Sequence, residues 1–403
     1  MDFLIDLLCF LVAPVVCWRA LRGIIPMAVT PILAGLGIAV AAYHVDFDKS
    51  LLGPSALGET IGWIGVLVLV YSAGLETRTM AGGPRMAGQL VGSAANALAL
   101  PFAAGFLIIL SGVADAVVVP PASAQPLFFA AAVGLCLAVS ALPVLVGLVR
   151  ELPLPDRPIG NLALRIAALD DAILWSGLAL LLFLFGGKAG GLLATDWHDG
   201  AALALFAAMA LLRRPLDRLL PTHPVFCVVL GAAYLCAGAW ATTVLGLHEI
   251  LGAYFAGALA PAGVAARLKP ELLGKVALFG LSPLYFAHRG LSIDGSVLTL
   301  AALGFALLLL VAGVATKLLA VYVTPPDRNM SLTDRTRLGL LLQCKGLMEI
   351  VAASILLQGG LLSEEAFAIL VTLAIVSTTL TIPMFRLTSN SVTAREIQTA
   401  GDS

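Results

Sequence analysis

Charge is scarce in this sequence. Only 12% of its 403 residues are Asp, Glu, Lys or Arg, about half of the roughly 25% that hydrates a soluble domain's surface. With 60% hydrophobic residues, a water-soluble enzyme is excluded. Cysteine is also scarce. The six (Cys9, Cys17, Cys136, Cys227, Cys236 and Cys344) lie inside apolar runs without Cys-x-x-Cys spacing, so neither a disulfide framework nor a zinc site is expected. The N-terminal stretch Met-Asp-Phe-Leu-Ile-Asp lacks the basic residues of a signal peptide, and its apolar segment is expected to remain as a helix. No Walker or Gly-rich nucleotide loop appears, so coupling to ATP is not expected. No cofactor and no nucleic-acid partner is expected either. The weak ten-residue alternation of an outer-membrane barrel is missing too; apolar residues run unbroken, as from Val297 to Thr316.

What is present is apolar sequence long enough for many bilayer-spanning helices, each needing about 20 residues. Splitting at charged and Pro/Gly-rich punctuation predicts thirteen spans, at about 3–18, 24–43, 58–77, 88–112, 126–149, 160–186, 199–213, 222–240, 243–261, 275–291, 297–323, 337–358 and 364–387. Basic residues test that count, because cytoplasmic loops concentrate Lys and Arg. Eighteen of the 23 fall on the odd-numbered connections and the C-terminal tail, and three (Lys49, Lys188, Arg289) on the even-numbered ones. This bias predicts an external N-terminus and a cytoplasmic C-terminus, with 389–403 a short tail and no soluble regulatory domain. A short seventh span divides the rest into six plus six of opposite orientation, the inverted-repeat plan of many secondary transporters. The expected fold is therefore an all-α polytopic membrane protein of about 13 transmembrane helices in two inverted six-helix repeats.

The remaining charges lie at membrane depth, where each costs about 2.5–3.5 kcal/mol on insertion scales. They are Asp170 and Asp171 in span six, Lys317 in span eleven, and Lys345 with Glu349 in span twelve. At 1.5 Å per helical residue, Asp170, Lys317 and Lys345 all lie roughly 12–14 Å from the cytoplasmic end, near the level of the polar break Ser140-Ala141-Leu142-Pro143 in span five. Pro143 and the Lys345-Gly346 pair predict that spans five and twelve are discontinuous, with Lys345 and Glu349 as fixed counter-charges for the half-helix ends. Adjacent Asp170 and Asp171 point about 100° apart on a helix, so one can face a cavity while the other meets a cation. Carboxylates suit Na⁺ or another hard cation, and burial generally raises a carboxylate's pKa. A group that takes either H⁺ or a metal ion is the minimal chemistry of a cation/proton exchanger.

Other chemistries fit less well. His248-Glu249 begins a His-Glu-x-x-His zinc motif, but Gly252 stands where the second His belongs, and the pair reads better as a helix end. His288-Arg289 reads as an interfacial anchor. An intramembrane aspartyl protease needs carboxylates on separate helices. An ion channel needs a continuous pore-lining series rather than one charged layer.

The residues resemble the monovalent cation:proton antiporter 2 family, which includes Na⁺/H⁺ exchangers and plant cation/H⁺ exchangers, over nearly the whole chain. The resemblance rests on Gly58 to Trp63 with Ser72 to Glu76, on Ser140 to Leu145, on Asp170-Asp171, on Leu245 to Gly257, and on Cys344 to Ile350. It implies that Asp171 binds the transported cation and proton as the metal-ligating carboxylate, with Asp170 beside it. It further implies that Lys317 pairs with Asp170 and that Ser140 supplies a ligand at the broken fifth helix. A core domain, here about 88–186 and 297–387, would move against a dimerising scaffold, about 3–77 and 199–291, in an elevator-like cycle. The expected function is secondary active exchange of Na⁺ or K⁺ for H⁺ by a homodimer in the cell's inner membrane, not enzymatic activity. The alternatives are a non-transporting membrane sensor or scaffold, and an organic-anion symporter of similar fold.

Overall fold

The computed structural model describes residues 2–20, 26–45, 55–81, 88–152, 156–185, 197–219 and 224–401. The expected span ends at 24–25, 186 and 222–223, and the outward lysines Lys49 and Lys188, lie outside these residues. Among the described residues the regular structure is helical throughout, with no strand.

Eighteen α-helices follow in order: α1 (Asp2–Leu7), α2 (Ala13–Ala20), α3 (Thr30–Val45), α4 (Ala56–Ala81), α5 (Gly88–Leu110), α6 (Pro126–Ala138), α7 (Leu142–Glu151), α8 (Arg157–Phe185), α9 (Trp197–Leu219), α10 (Pro224–Val244), α11 (Glu249–Leu259), α12 (Ala262–Leu268), α13 (Pro270–Val276), α14 (Ser282–Ser292), α15 (Leu300–Val323), α16 (Leu332–Leu342), α17 (Leu347–Gln358) and α18 (Glu364–Gly401). Every one of the thirteen expected spans coincides with helix. Among the described residues seven stretches are long and apolar enough to cross a bilayer, one of them, Pro126–Val146, running through the gap between α6 and α7, and the bent pairs α11/α12 and α16/α17 raise the number to nine. The others depart from one long apolar rod. Span one is two helices joined by a π-turn, Leu8–Val12, and span ten is α13 and α14 joined by another, Ala277–Leu281. Span two is the short apolar α3, and span seven, α9, ends among Arg213, Arg214 and Arg218. Span nine is corrected in shape. It does not run straight from 243 to 261: α10 ends at Val244, His248 caps α11, and the chain turns 106° where Pro261 precedes α12.

The chain divides into two compact units. The first comprises Met1–Pro84, Ala172–Val297 and Gln358–Leu361. Within it α4 packs on α11 and α3 on α14. Gly74 and Gly257 let the α4 and α11 backbones meet, since a Cβ on either would collide with the other helix's main chain. The unit also holds a polar knot that the sequence reading missed. Asp6 is 1% exposed and accepts from the Ser55 amide at 2.8 Å, while its other oxygen lies 3.2 Å from His288 Nε2. His288 is thus tied to α1 rather than serving only as an interfacial anchor, and Arg289 lies 5.0 Å over the Tyr285 ring. His248 caps α11 through Nδ1, which accepts from Ile250 N at 3.3 Å.

The second unit comprises Arg85–Asp171, Leu298–Leu357 and Leu362–Ser403. Here α5 packs on α6 and α15, and α15 packs on α16 and α18. The chain passes from one unit to the other within α8, between Asp171 and Ala172. Every residue singled out from the sequence as a candidate ion-site residue falls in the second unit.

Candidate functional site

Two of this unit's apolar segments are broken at their middle. In the first, α6 stops at Ala138, Val139 and Ala141 are extended (ψ 147° and 105°), and α7 resumes at Leu142 with Pro143 in its first turn. Proline suits that position, because it lacks an N–H that would otherwise need a partner and biases the residue before it away from helix. In the second, α16 stops at Leu342 and α17 starts at Leu347 after a 44° bend. Gly346 has φ +71°, a left-handed conformation that costs other residues roughly 1–2 kcal/mol. A Cβ there would also come within 2.7 Å of Val144 Cγ2 and 3.0 Å of the Ala141 Cβ.

The two breaks cross and complete each other's hydrogen bonds. Ala141 N donates to Cys344 O at 2.8 Å, and Ser140 Oγ reaches Leu342 O at 2.7 Å. Gly346 N donates to Thr378 Oγ1 at 2.9 Å, and Ser377 Oγ donates to Gln343 O at 2.5 Å, so α18 also serves the crossing. Groups of this kind left unmade at membrane depth would each cost several kcal/mol.

Charge is matched to the half-helix ends. Lys345 Nζ donates to Cys136 O at 3.1 Å and Leu137 O at 2.7 Å, the last-turn carbonyls of α6, where the helix dipole is negative. Glu349 stands in the first turn of α17, where the dipole is positive. The two side chains approach to 3.8 Å, and both are buried. Neither Glu349 oxygen has a hydrogen-bond partner among the described residues.

Beside the crossing, α8 presents Asp170 and α15 presents Lys317, both fully buried. Lys317 Nζ lies 3.0 Å from Asp170 Oδ2 and 2.8 Å from Ser140 Oγ. Ser140 Oγ is in turn 2.8 Å from the same Asp170 oxygen. The structure thus brings Asp170, Ser140 and Lys317 into one contact group. Lys317 turns inward rather than snorkelling towards the interface. Of the two aspartates, Asp170 is the one that meets the lysine; Asp171, the next residue of α8, is also fully buried. Among the described residues no three His, Cys, Asp or Glu side chains gather to hold a metal ion. A cation bound here would complete its shell with water or main-chain oxygen, as a weak, releasable ligand set requires.

The sequence reading did not single out Gln343, Ser377 or Thr378, because hydroxyls and amides in apolar helices carry no signal distinguishing a capping role from a passive one. It also took Arg337 only as a topology marker. Arg337 is 8% exposed, pairs with Asp156 at 3.1 Å and lies 5.7 Å from the Phe385 ring centre.

Sequence comparison bears on the family to which a chain of this fold belongs. A family model described as sodium/hydrogen exchanger, transmembrane, matches residues 7–386. The chain belongs to the sodium/hydrogen exchanger family. This is a family of multi-pass membrane transporters rather than enzymes. The chain is 30% identical over 373 residues to cation/H⁺ antiporter 20 of Arabidopsis thaliana, covering 83% of itself and 43% of that relative. It is 27% identical to the Na⁺/H⁺ antiporter NhaS4 of Synechocystis, covering 64% of each. It is also 27% identical to K⁺/H⁺ antiporter 1 of Saccharomyces cerevisiae, covering 63% of itself and 30% of that protein. The chain spans less than half the length of the plant relatives it matches. Its fold is that of the sodium proton antiporter MjNhaP1 from Methanocaldococcus jannaschii, with a TM-score of 0.56 at 13% identity over 95% of this chain and 96% of that one.

Proposed function

We propose that the chain exchanges a monovalent cation, Na⁺ or K⁺, for protons by alternating access, with Asp171 carrying either H⁺ or the cation. The observation that carries this reading is the buried contact group of Asp170, Ser140 and Lys317 at the crossing of two broken helices. A lysine and a carboxylate desolvated together are held by each other, so removing the charge of one releases the other. In the proposed cycle, cation arrival at Asp171 weakens the Lys317–Asp170 pair, and cation departure lets it reform. Lys345 and Glu349 stay fixed, neutralising the half-helix ends so that the moving charge is the transported one. The names of the relatives support antiport of this class, some naming Na⁺ and one K⁺.

Residues of about 88–186 and 297–387 are proposed as the moving core; they overlap the second unit up to Asp171 and from Leu298, whereas Ala172 onward in α8 falls in the first unit. Residues of about 3–77 and 199–291 are proposed as the scaffold of a homodimer, set in the cell's inner membrane with the N-terminus outside. The test uses inverted vesicles with an established ΔpH. Added Na⁺, K⁺ or Li⁺ should dissipate it and Asp171→Asn should abolish the response; dissipation that persists in the variant overturns the assignment.

A further inference from the structure

Lys317 is fully buried, and its ammonium donates to Ser140 Oγ at 2.8 Å and to Asp170 Oδ2 at 3.0 Å. An ammonium left at membrane depth with a serine oxygen alone would be costly, because a buried charge needs hydrogen bonds as well as a counter-charge. Any state in which the bond to Asp170 opens therefore calls for another acceptor within the lysine's reach.

Gln343 carries one. It stands in the break between α16 and α17, and the crossing fixes its main chain from both sides. Leu342 O accepts from Ser140 Oγ, Cys344 O from Ala141 N, and Gln343 O from Ser377 Oγ. Its side chain is 3% exposed, and neither amide atom has a hydrogen-bond partner among the described residues. Both amide atoms pack over Gly313 of α15, where a Cβ would lie 3.2 Å from Nε2 and 3.4 Å from Oε1. Gly313 is four residues before Lys317, one turn along the same helix face. Helical side chains lean toward the N-terminus and cover the preceding turn, so a lysine at 317 extends over 313, toward the amide. With no side chain at 313, α15 puts nothing between the two. Unsatisfied buried groups are uncommon, and a part in the mechanism is one of the reasons they persist.

We propose that Gln343 is a positioning residue for exchange: its amide oxygen receives the Lys317 ammonium when the pair with Asp170 opens, while Ser140 keeps its bond to the lysine. Because it requires the pair to open, this role rests on the exchange cycle proposed above. A neutral acceptor suits it, since it solvates the ammonium without holding it as a carboxylate would, and the lysine can return to Asp170. The amide stabilises only the opened, cation-bound state, so its loss favours the paired state and weakens apparent cation affinity.

The test measures KM for Na⁺ and for K⁺, and the maximal rate, from ΔpH dissipation in reconstituted vesicles. Gln343→Met, apolar and of similar volume, should raise KM about tenfold, the worth of one hydrogen bond to a charged group, with a much smaller change in the maximal rate. Its melting temperature without cation should equal or exceed that of the unaltered protein, because the paired state loses an unsatisfied amide; a glutamine that only holds the fold together would give a lower one. Gly313→Ala, which sets a methyl group between amide and lysine, should raise KM in the same direction with both side chains retained, and it decides alone where Gln343→Met fails to assemble. Unchanged KM in these variants, or a fall in maximal rate at unchanged KM, in a protein whose exchange Asp171→Asn abolishes, would overturn the role of Gln343 and leave the exchange reading standing. Exchange that survives Asp171→Asn would overturn both.

Discussion

Ser140 has one hydroxyl hydrogen and two acceptors in reach, Asp170 Oδ2 at 2.8 Å and Leu342 O at 2.7 Å. It can serve only one at a time, while its oxygen accepts from Lys317 throughout. When Asp170 is charged and paired, the hydroxyl is drawn to it; when the pair opens, it can turn to the main chain of the other broken helix. Ser140→Ala should therefore cost about 1–3 kcal/mol in thermal unfolding, the range for leaving buried partners unsatisfied. Lys317→Ala should cost more, about 3–5 kcal/mol, because it strands the Asp170 carboxylate. The double variant Lys317→Ala with Asp170→Asn should recover much of that loss, and simple additivity in the melting temperatures would contradict the pairing. These residues were legible in the sequence because charge in an apolar helix is expensive and stands out. Asp6 with His288, and Asp156 with Arg337, were not. Each pair lies near a segment end where charge is unremarkable, and its partner is 282 or 181 residues away.

At the scale of elements, the two breaks were readable from local chemistry. Pro143 removes an N–H that a continuous helix needs and Gly346 permits the left-handed turn that ends one, and the crossing follows from giving the freed groups partners. What the residues did not reveal was which neighbour would supply them. Thr378 and Ser377 of α18 look like ordinary small polar residues until Gly346 N and Gln343 O are seen to end on them. The bend at Pro261 and the π-turns in the first and tenth segments were likewise hidden, since apolar composition is the same on both sides of them. Gly346→Ala combines left-handed strain of roughly 1–2 kcal/mol with the collision against Val144, so it should lower the melting temperature and abolish exchange. Ala substitution at Gly304, which has open space around it, is the matched control and should do neither.

For the whole molecule, the thirteen expected spans and the bias of basic residues predict an orientation that can be checked without transport. In a cysteine-free background, Asn329→Cys between α15 and α16 should react with an impermeant maleimide only in inverted vesicles. Ala122→Cys between α5 and α6 should react only from the outside of intact cells, and the opposite pattern would reverse the proposed topology. The central claim is that H⁺ and the cation occupy the same buried carboxylate in turn. It is tested most directly by the pH dependence of the apparent KM for the cation, measured by tracer exchange in reconstituted vesicles. A proton that competes for the site should raise KM as pH falls, by about tenfold per pH unit once the carboxylate is mostly protonated, while the maximal rate at saturating cation holds. A KM that stays constant while the maximal rate falls would mean that proton and cation bind at different places, and would contradict the account.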